Sequence, residues 1–303
     1  MPGPSEWTER VMHQRDVEFL SDNLKIRGVL RMPETRGPHP IVIMAHGMGG
    51  LKEWNIPPVA EALVEAGIAA LSFDYRNFGD SEGDPREEVD HNGQIEDFRN
   101  AITYALTLNE VDPERVGLWG TSLGGRNVLA ATALDERVKC VLSQVPALGT
   151  LDEAYTRGAA AFTGGDVARF KRELAEDRID RANGKPVRYF EFDNEDTNTE
   201  YYEHFSRFGE AELRNWKKRM TFRSYEPSIP SEITHLLKRI APRPVLLVLT
   251  DRDYLYAGQM AAYAAMPEPK ALLILPGHHY ALYTTHKKLA IEITRDWFVK
   301  HLK

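Results

Sequence analysis

Cysteine is nearly absent: the 303 residues hold one, Cys140, inside the apolar run VKCVLSQV. A lone thiol forms no intrachain disulfide and no cysteine-based metal cluster, so Cys140 reads as a small buried hydrophobe. Long apolar runs are missing too. No stretch reaches the roughly 18 apolar residues of a membrane span, and the opening MPGPSEWTERVMHQ lacks the apolar core of a secretory leader. Basic clusters are also scarce. With 38 Lys and Arg against 45 Asp and Glu, the formal net charge is −7, which offers no field for a phosphate backbone or an anionic bilayer. No G-x-x-x-x-G-K-[ST] loop occurs, and Lys52 stands where a dinucleotide fingerprint starting at Gly47 requires Gly. These absences lead us to expect a cytoplasmic protein that binds neither nucleic acid nor membrane; the sequence shows no internal repeat and no low-complexity tract.

What is present is the composition of an ordinary globular protein, 42% hydrophobic and 27% charged, long enough to bury a large core. The segments DVEFLSDN and KIRGVLRMP predict an antiparallel pair at a sheet edge. Six short apolar runs follow: 40–47, 67–74, 115–120, 138–145, 244–250 and 270–276. Such runs belong to strands covered on both faces. Between them, Ile95, Phe98, Ile102 and Leu106 draw one apolar stripe along a helix, and VAEALVEAG, LGGRNVLAATAL and KKLAIEITRDWFVKHL supply three more helices. Alternating strands and helices predict an α/β fold with a mostly parallel, doubly wound sheet. The alternation breaks between residues 147 and 240. There 157–184 and 196–220 each look like an amphipathic helix, the second opening on a Thr197/Glu200 capping box. The expected organisation is a core of 1–146 and 241–303 with a helical cap inserted at 147–240.

The chemistry centres on Gly120-Thr121-Ser122-Leu123-Gly124, which fits G-x-S-x-G between a predicted strand and a predicted helix. A tight strand-to-helix turn needs neighbours without side-chain bulk, which Gly120 and Gly124 provide. A serine hydroxyl is a poor nucleophile until a base takes its proton and a third group orients that base. In this architecture both come later in the chain, in the order Ser, Asp or Glu, His, from loops after strand ends. The loop after PVLLVLT holds Asp251 and Asp253, and the loop after KALLILPG holds His278 and His279. Asp251 sits at the strand end, where it could brace the loop, whereas Asp253 has more reach and is favoured. Of the adjacent histidines only one can meet Ser122; His279 is favoured, with His278 as a loop or pocket residue. The small residues of MAHGMGG let backbone N–H groups approach a substrate, so the oxyanion donors are expected to be Met48 and Leu123. His46 is expected to brace its loop. Asp74 and Asp80 are expected to pair with Arg76 rather than to act as nucleophile or metal ligand.

The stretches IMAHGMGGLKEW, ALSFDYRNFGDSEGDPR, VDPERVGLWGTSLGG, IAPRPVLLVLTDRDY and EPKALLILPGHHYALY together resemble the α/β-hydrolase superfamily. Within it they resemble the dienelactone-hydrolase-like branch that includes bacterial hydrolases and fungal polyketide transferases or thiohydrolases. In that branch the His loop reads Gly-His-aromatic with Tyr four residues after the His, a spacing His279, Tyr280 and Tyr283 match. His278 departs from it, where Gly is usual. Dienelactone hydrolases themselves carry a Cys nucleophile, so Ser122 does not imply that activity. The resemblance implies a serine hydrolase of esters or thioesters with a small to medium hydrophobic acyl group. It uses Ser122, His279 and Asp253, with no metal or organic cofactor. An acyltransferase would use the same residues, and an amidase or peptidase is a more distant alternative. A small acyl compound is the expected partner, and a homodimer is compatible with this reading.

Overall fold

Apolar side chains that alternate at a period of two, and are buried whichever way they point, make a strand with no solvent face. The run at 39–45 shows this. Ile41, Ile43 and Ala45 join the core on one side of the sheet, and Val42 and Met44 join the core on the other. The computed structural model describes residues 13–191, 215–227 and 232–303. Among them the strands are β1 (His13–Ser21), β2 (Leu24–Met32), β3 (His39–Ala45), β4 (Ala69–Phe73), β5 (Val111–Thr121), β6 (Val138–Gln144), β7 (Tyr189–Glu191), β8 (Arg219–Thr221), β9 (Val245–Thr250) and β10 (Lys270–Leu275). The helices are α1 (Pro57–Glu65), α2 (His91–Ala105), α3 (Leu123–Leu134), α4 (Leu151–Phe162), α5 (Val167–Ala182), α6 (Tyr256–Ala265) and α7 (Lys287–Leu302).

Eight strands form one sheet in the order β1-β2-β4-β3-β5-β6-β9-β10. β1 and β2 pair antiparallel from His13↔Met32 to Ser21↔Leu24. The hairpin closes through Asp22 and Asn23, both at positive φ (49° and 66°), a backbone that short polar side chains tolerate and that matches strand twist. β2 also meets β4 antiparallel, and every later neighbour is parallel. α2 and α3 pack on one face; α1 and α7 pack on the other. The predicted stripe of α2 is buried at Ile95, Phe98 and Ile102, while Leu106 is the C-cap and packs at the core's margin. The helix starts where the Asp90 side chain accepts from the Gly93 N–H at 2.9 Å.

Between β6 and β9 no described segment joins the large sheet. α4 begins at a capping box, with Thr150 and Glu153 bonded reciprocally. The single helix expected over 157–184 is two helices. Gly164 and Gly165 take φ of 61° and 92°, which ends the first, and the Asp166 side chain caps the second through the Arg169 N–H at 2.8 Å. The two helices fold back on each other around Ala159, Phe170, Leu174 and Phe222. β7 and β8 form a separate antiparallel pair, which the helical reading of this segment did not include. The Thr197/Glu200 pattern lies outside the described residues.

Candidate active site

Ser122 joins β5 to α3 with no residue between them, and it takes φ 54° and ψ −119°. A non-glycine residue is held in such a strained conformation only by its surroundings. The Ser122 N–H donates to the Gln144 carbonyl at 2.9 Å, and its carbonyl accepts from the N–H groups of Arg126 and Ala147 at 3.1 and 2.9 Å. Crowding explains the flanking glycines. A Cβ on Gly120 would lie 2.3 Å from the Gly124 carbonyl oxygen, and one on Gly124 would lie 2.3 Å from that of His46.

The two downstream loops meet at this serine. His279 Nε2 lies 3.0 Å from Ser122 Oγ, and His279 Nδ1 lies 2.9 Å from Asp253 Oδ2. A carboxylate only accepts, so Nδ1 carries the proton and Nε2 is left to accept from the serine hydroxyl. Burial pushes the Asp253 carboxyl up. Bonds from His279, the Leu255 N–H and Gln259 outweigh that and hold it below the usual range. The alternative residues in each loop do other work. Asp251 Oδ1 accepts from the Gly277 N–H at 2.8 Å and so clips the two loops together. His278 Nδ1 accepts from the Tyr280 N–H at 3.2 Å and caps the 3₁₀ turn His279–Tyr283.

The expected oxyanion donors lie beside the serine. Leu123 is the first residue of α3, where an N–H has no acceptor within the helix. A Cβ on Gly47 would lie 3.5 Å from Ser122 Oγ, which sets the backbone leading to Met48 against the nucleophile position. His46 holds this loop through Nδ1, 2.8 Å from the Gly47 carbonyl. Burial lowers its pKa to about 4, so it is neutral, and its Nε2 is buried with no partner among the described residues.

One expected pairing is wrong. Asp74 and Asp80 do not bond Arg76; both bind Lys52, whose Nζ lies 2.6 and 2.7 Å from their carboxylates and 2.9 Å from Glu53. Arg76 turns the other way, to Asp97 at 2.8 Å and Asp22 at 2.9 Å. Asp74 and Arg76 lie in the loop beyond the end of β4, where the Lys52 backbone N–H and ammonium hold Asp74 while the backbone N–H and guanidinium of Arg76 are held by Asp97 of α2. Glu53, Asp74 and Asp80 would suit a metal by spacing, but the Lys52 ammonium already occupies the centre of that cluster.

Sequence reasoning missed Gln259, whose side chain donates to Asp253 Oδ2 at 2.9 Å from within α6. Nothing in the local pattern marks a buried helical Gln as a partner of a loop carboxylate six residues earlier. The Tyr283 hydroxyl bonds Thr121 Oγ1, next to the nucleophile position; the family spacing had pointed to this tyrosine. Above Ser122 and His279 opens a cavity of about 680 Å³. That is room for a small organic molecule. Met48, Leu123 and the inner face of α4 line it.

The family model of the alpha/beta hydrolase fold matches residues 40–285. The chain belongs to this family. The resemblance drawn from the motifs therefore holds, as does the expected fold. The chain is 47% identical over 131 residues to the quorum-quenching protein AidA of Acinetobacter baumannii, 43% of each chain. It is 46% identical over 132 residues to the thiohydrolase aneE of Aspergillus aculeatus, 43% of this chain and 41% of that one. These two matches thus span less than half of either relative. A third relative is matched along most of its length: the polyketide transferase grgF of Penicillium sp, 29% identical over 282 residues, 89% of this chain and 90% of the relative. The crystal structure of GrgF superposes with a TM-score of 0.77 at 27% identity, covering 96% of this chain and 99% of that one. Among the described residues, no helix is long and apolar enough to cross a membrane.

Proposed function

We propose that this member of the family is a serine hydrolase of esters or thioesters. The carrying observation is the continuous relay from Ser122 Oγ to His279 Nε2 at 3.0 Å and from His279 Nδ1 to Asp253 Oδ2 at 2.9 Å. Ser122 Oγ attacks the acyl carbonyl as its proton passes to His279 Nε2. Asp253 holds the ring in the receptive tautomer and balances the imidazolium that forms. The N–H groups of Leu123 and Met48 take the oxyanion. The tetrahedral adduct collapses, His279 returns the proton to the leaving group, and an acyl-Ser122 ester remains. Water, deprotonated by His279, then releases the acid. No metal or organic cofactor enters these steps. The segment 147–240 serves as a cap whose helix α4 walls the acyl cavity, a reading supported by Leu151, Ala154 and Ala161 along its lining.

Labelling with a fluorophosphonate tests the nucleophile. Wild type is expected to take up one equivalent and Ser122→Ala none; equal labelling of both removes the assignment. Acyl transfer is a second reading, favoured by the nearly full-length match to a relative called a polyketide transferase. It differs only in the acceptor that attacks acyl-Ser122. Product analysis of an aryl ester with added primary alcohol separates the two: dominant formation of the new ester makes the protein a transferase, and dominant release of acid makes it a hydrolase.

A further inference from the structure

The cavity above Ser122 contains a cation that forms no ion pair among the described residues. Arg157 lies on α4 in the series Leu151, Ala154, Arg157, Gly158 and Ala161, all of which line the cavity. Spacings of three and four put them on one face of the helix, and the other four are small or apolar. Arg157 is half-buried, and among the described residues it makes no hydrogen bond and no ion pair. The neighbouring carboxylates are engaged or apart. Glu153, one turn back, accepts from the Thr150 N–H at 2.7 Å within the capping box. Glu226 on the cavity wall is held by Arg178 and Arg181. Glu232, also on the wall, forms no ion pair with Arg157.

The position of Arg157 is toward the catalytic side of the cavity. Its guanidinium feels the hydroxyl of Tyr254 and the charges of Glu153 and Asp253, none of them at ion-pair distance, and the Tyr254 ring sits 5.0 Å from that of His279. Burial lowers the Arg157 pKa from its ordinary value, which marks a partly desolvated site, yet a guanidinium remains charged at neutral pH. Holding a cation with no direct partner against an apolar wall costs stability in the empty protein, and an anionic guest reduces that cost. The planar fork of a guanidinium suits two-point binding of a carboxylate or phosphate.

We infer that Arg157 sets the specificity of this cavity by binding an anionic oxygen group of the substrate, either a carboxylate on the acyl chain or a phosphate on the leaving group. The inference rests on the serine-hydrolase reading and narrows its substrate class to charged acyl compounds. Two substrate pairs test it and separate the two sources. The first pair is 4-nitrophenyl hydrogen adipate against 4-nitrophenyl hexanoate; the second is hexanoyl-coenzyme A against the hexanoyl thioester of N-acetylcysteamine. In wild type, one pair is expected to show a higher kcat/KM for the anionic member. Arg157→Gln is expected to reduce that anionic-to-neutral ratio by about tenfold or more, mainly through KM, as loss of a charge-assisted bond does. Arg157→Lys is expected to restore part of it. Ratios that are the same in wild type and Arg157→Gln for both pairs overturn the inference, while turnover of the neutral members keeps the hydrolase reading intact. Absence of turnover on all four, with no fluorophosphonate labelling, defeats the hydrolase reading instead. Calorimetric titration of adipate and of coenzyme A into wild type and Arg157→Gln then decides the Arg157 site by the same tenfold criterion.

Discussion

Gln259 donates to the same carboxylate oxygen of Asp253 that His279 bonds, at 2.9 Å in each case. The Gln259 amide also donates to the Pro146 carbonyl at 3.1 Å. One buried side chain thus ties α6 to the loop after β6 and to the partner of the histidine.

Removing this tie as Gln259→Ala is expected to destabilise the fold by about 1.5–3 kcal/mol near neutral pH, the range for hydrogen bonds to a charged group. The carboxylate part of the loss has a defined pH window. Asp253 is held below its unfolded pKa of about 3.9, so its stabilising contribution is complete above that value and fades as pH falls through the folded pKa. The variant raises the folded pKa, and the gap to wild type should narrow on acidification. Urea denaturation at a series of pH values reads this; a gap that widens in acid contradicts the Asp253–Gln259 coupling.

The two aspartates of the β9 loop are expected to separate sharply in kinetics. Asp253→Asn keeps the shape but favours the wrong tautomer of His279, and kcat on an aryl ester should fall by about 10⁴. Asp251→Asn loosens a clip between loops and should cost no more than about tenfold, because a backbone hydrogen bond is worth about 1 kcal/mol. A reversed order would assign the orienting carboxylate to Asp251.

Lys52 is the only cation on Asp74 among the described residues, and Asp74 is fully buried. Lys52→Met leaves that carboxylate unpaired, and a loss of about 3–5 kcal/mol is expected at pH 7. Burial already pushes the Asp74 carboxyl up, and without Lys52 it rises further. The native variant then binds a proton more tightly than its unfolded chain, so its stability should recover as pH falls through the raised folded pKa. Thermal melts from pH 8 to pH 5 test this, and a deficit that does not shrink argues against the pairing as its source.

His46 gives the opposite sign. Its pKa is about 4 in the fold against 6.5 for the unfolded chain, so its contribution is complete above 6.5 and is lost as pH falls toward 4, at about 1.4 kcal/mol per unit. His46→Gln should flatten the acid slope of denaturant stability across this window. An unchanged slope would show that His46 is not the neutral buried group.

The elements most legible in the sequence were those whose evidence is local. Strands β3, β4, β6 and β9 announced themselves because a strand covered on both faces is apolar at nearly every position, whereas β10, equally apolar in sequence, is the sheet edge and is only half-buried, with Ile274 exposed. α3 and α7 matched their predicted bounds, 123–134 and 287–302, since each follows a sharp break in the pattern. The serine turn was legible because a strand that runs directly into a helix leaves room only for glycine at 120 and 124. The helix expected over 157–184 failed for a local reason as well. Paired glycines at 164 and 165 end a helix whatever apolar spacing continues beyond them.

What the sequence by itself determined is thus the family, the succession of the eight strands of the large sheet with helices α1, α2, α3 and α7, and a short set of candidate residues in three loops. The choice within that set belonged to the tertiary structure. Asp251 and Asp253, or His278 and His279, differ by one or two positions along the chain, and each pair offers the same chemistry. Only the packing of β9 and β10 beside β6 decides which members face Ser122 and which clip or cap their own loops. Gln259, the Lys52 cluster and the cavity-facing Arg157 depend on it for the same reason. Each meets its neighbours, or meets none, across distances in the chain that carry no periodic signal, so the contacts exist only once the sheet and its helices have closed around them.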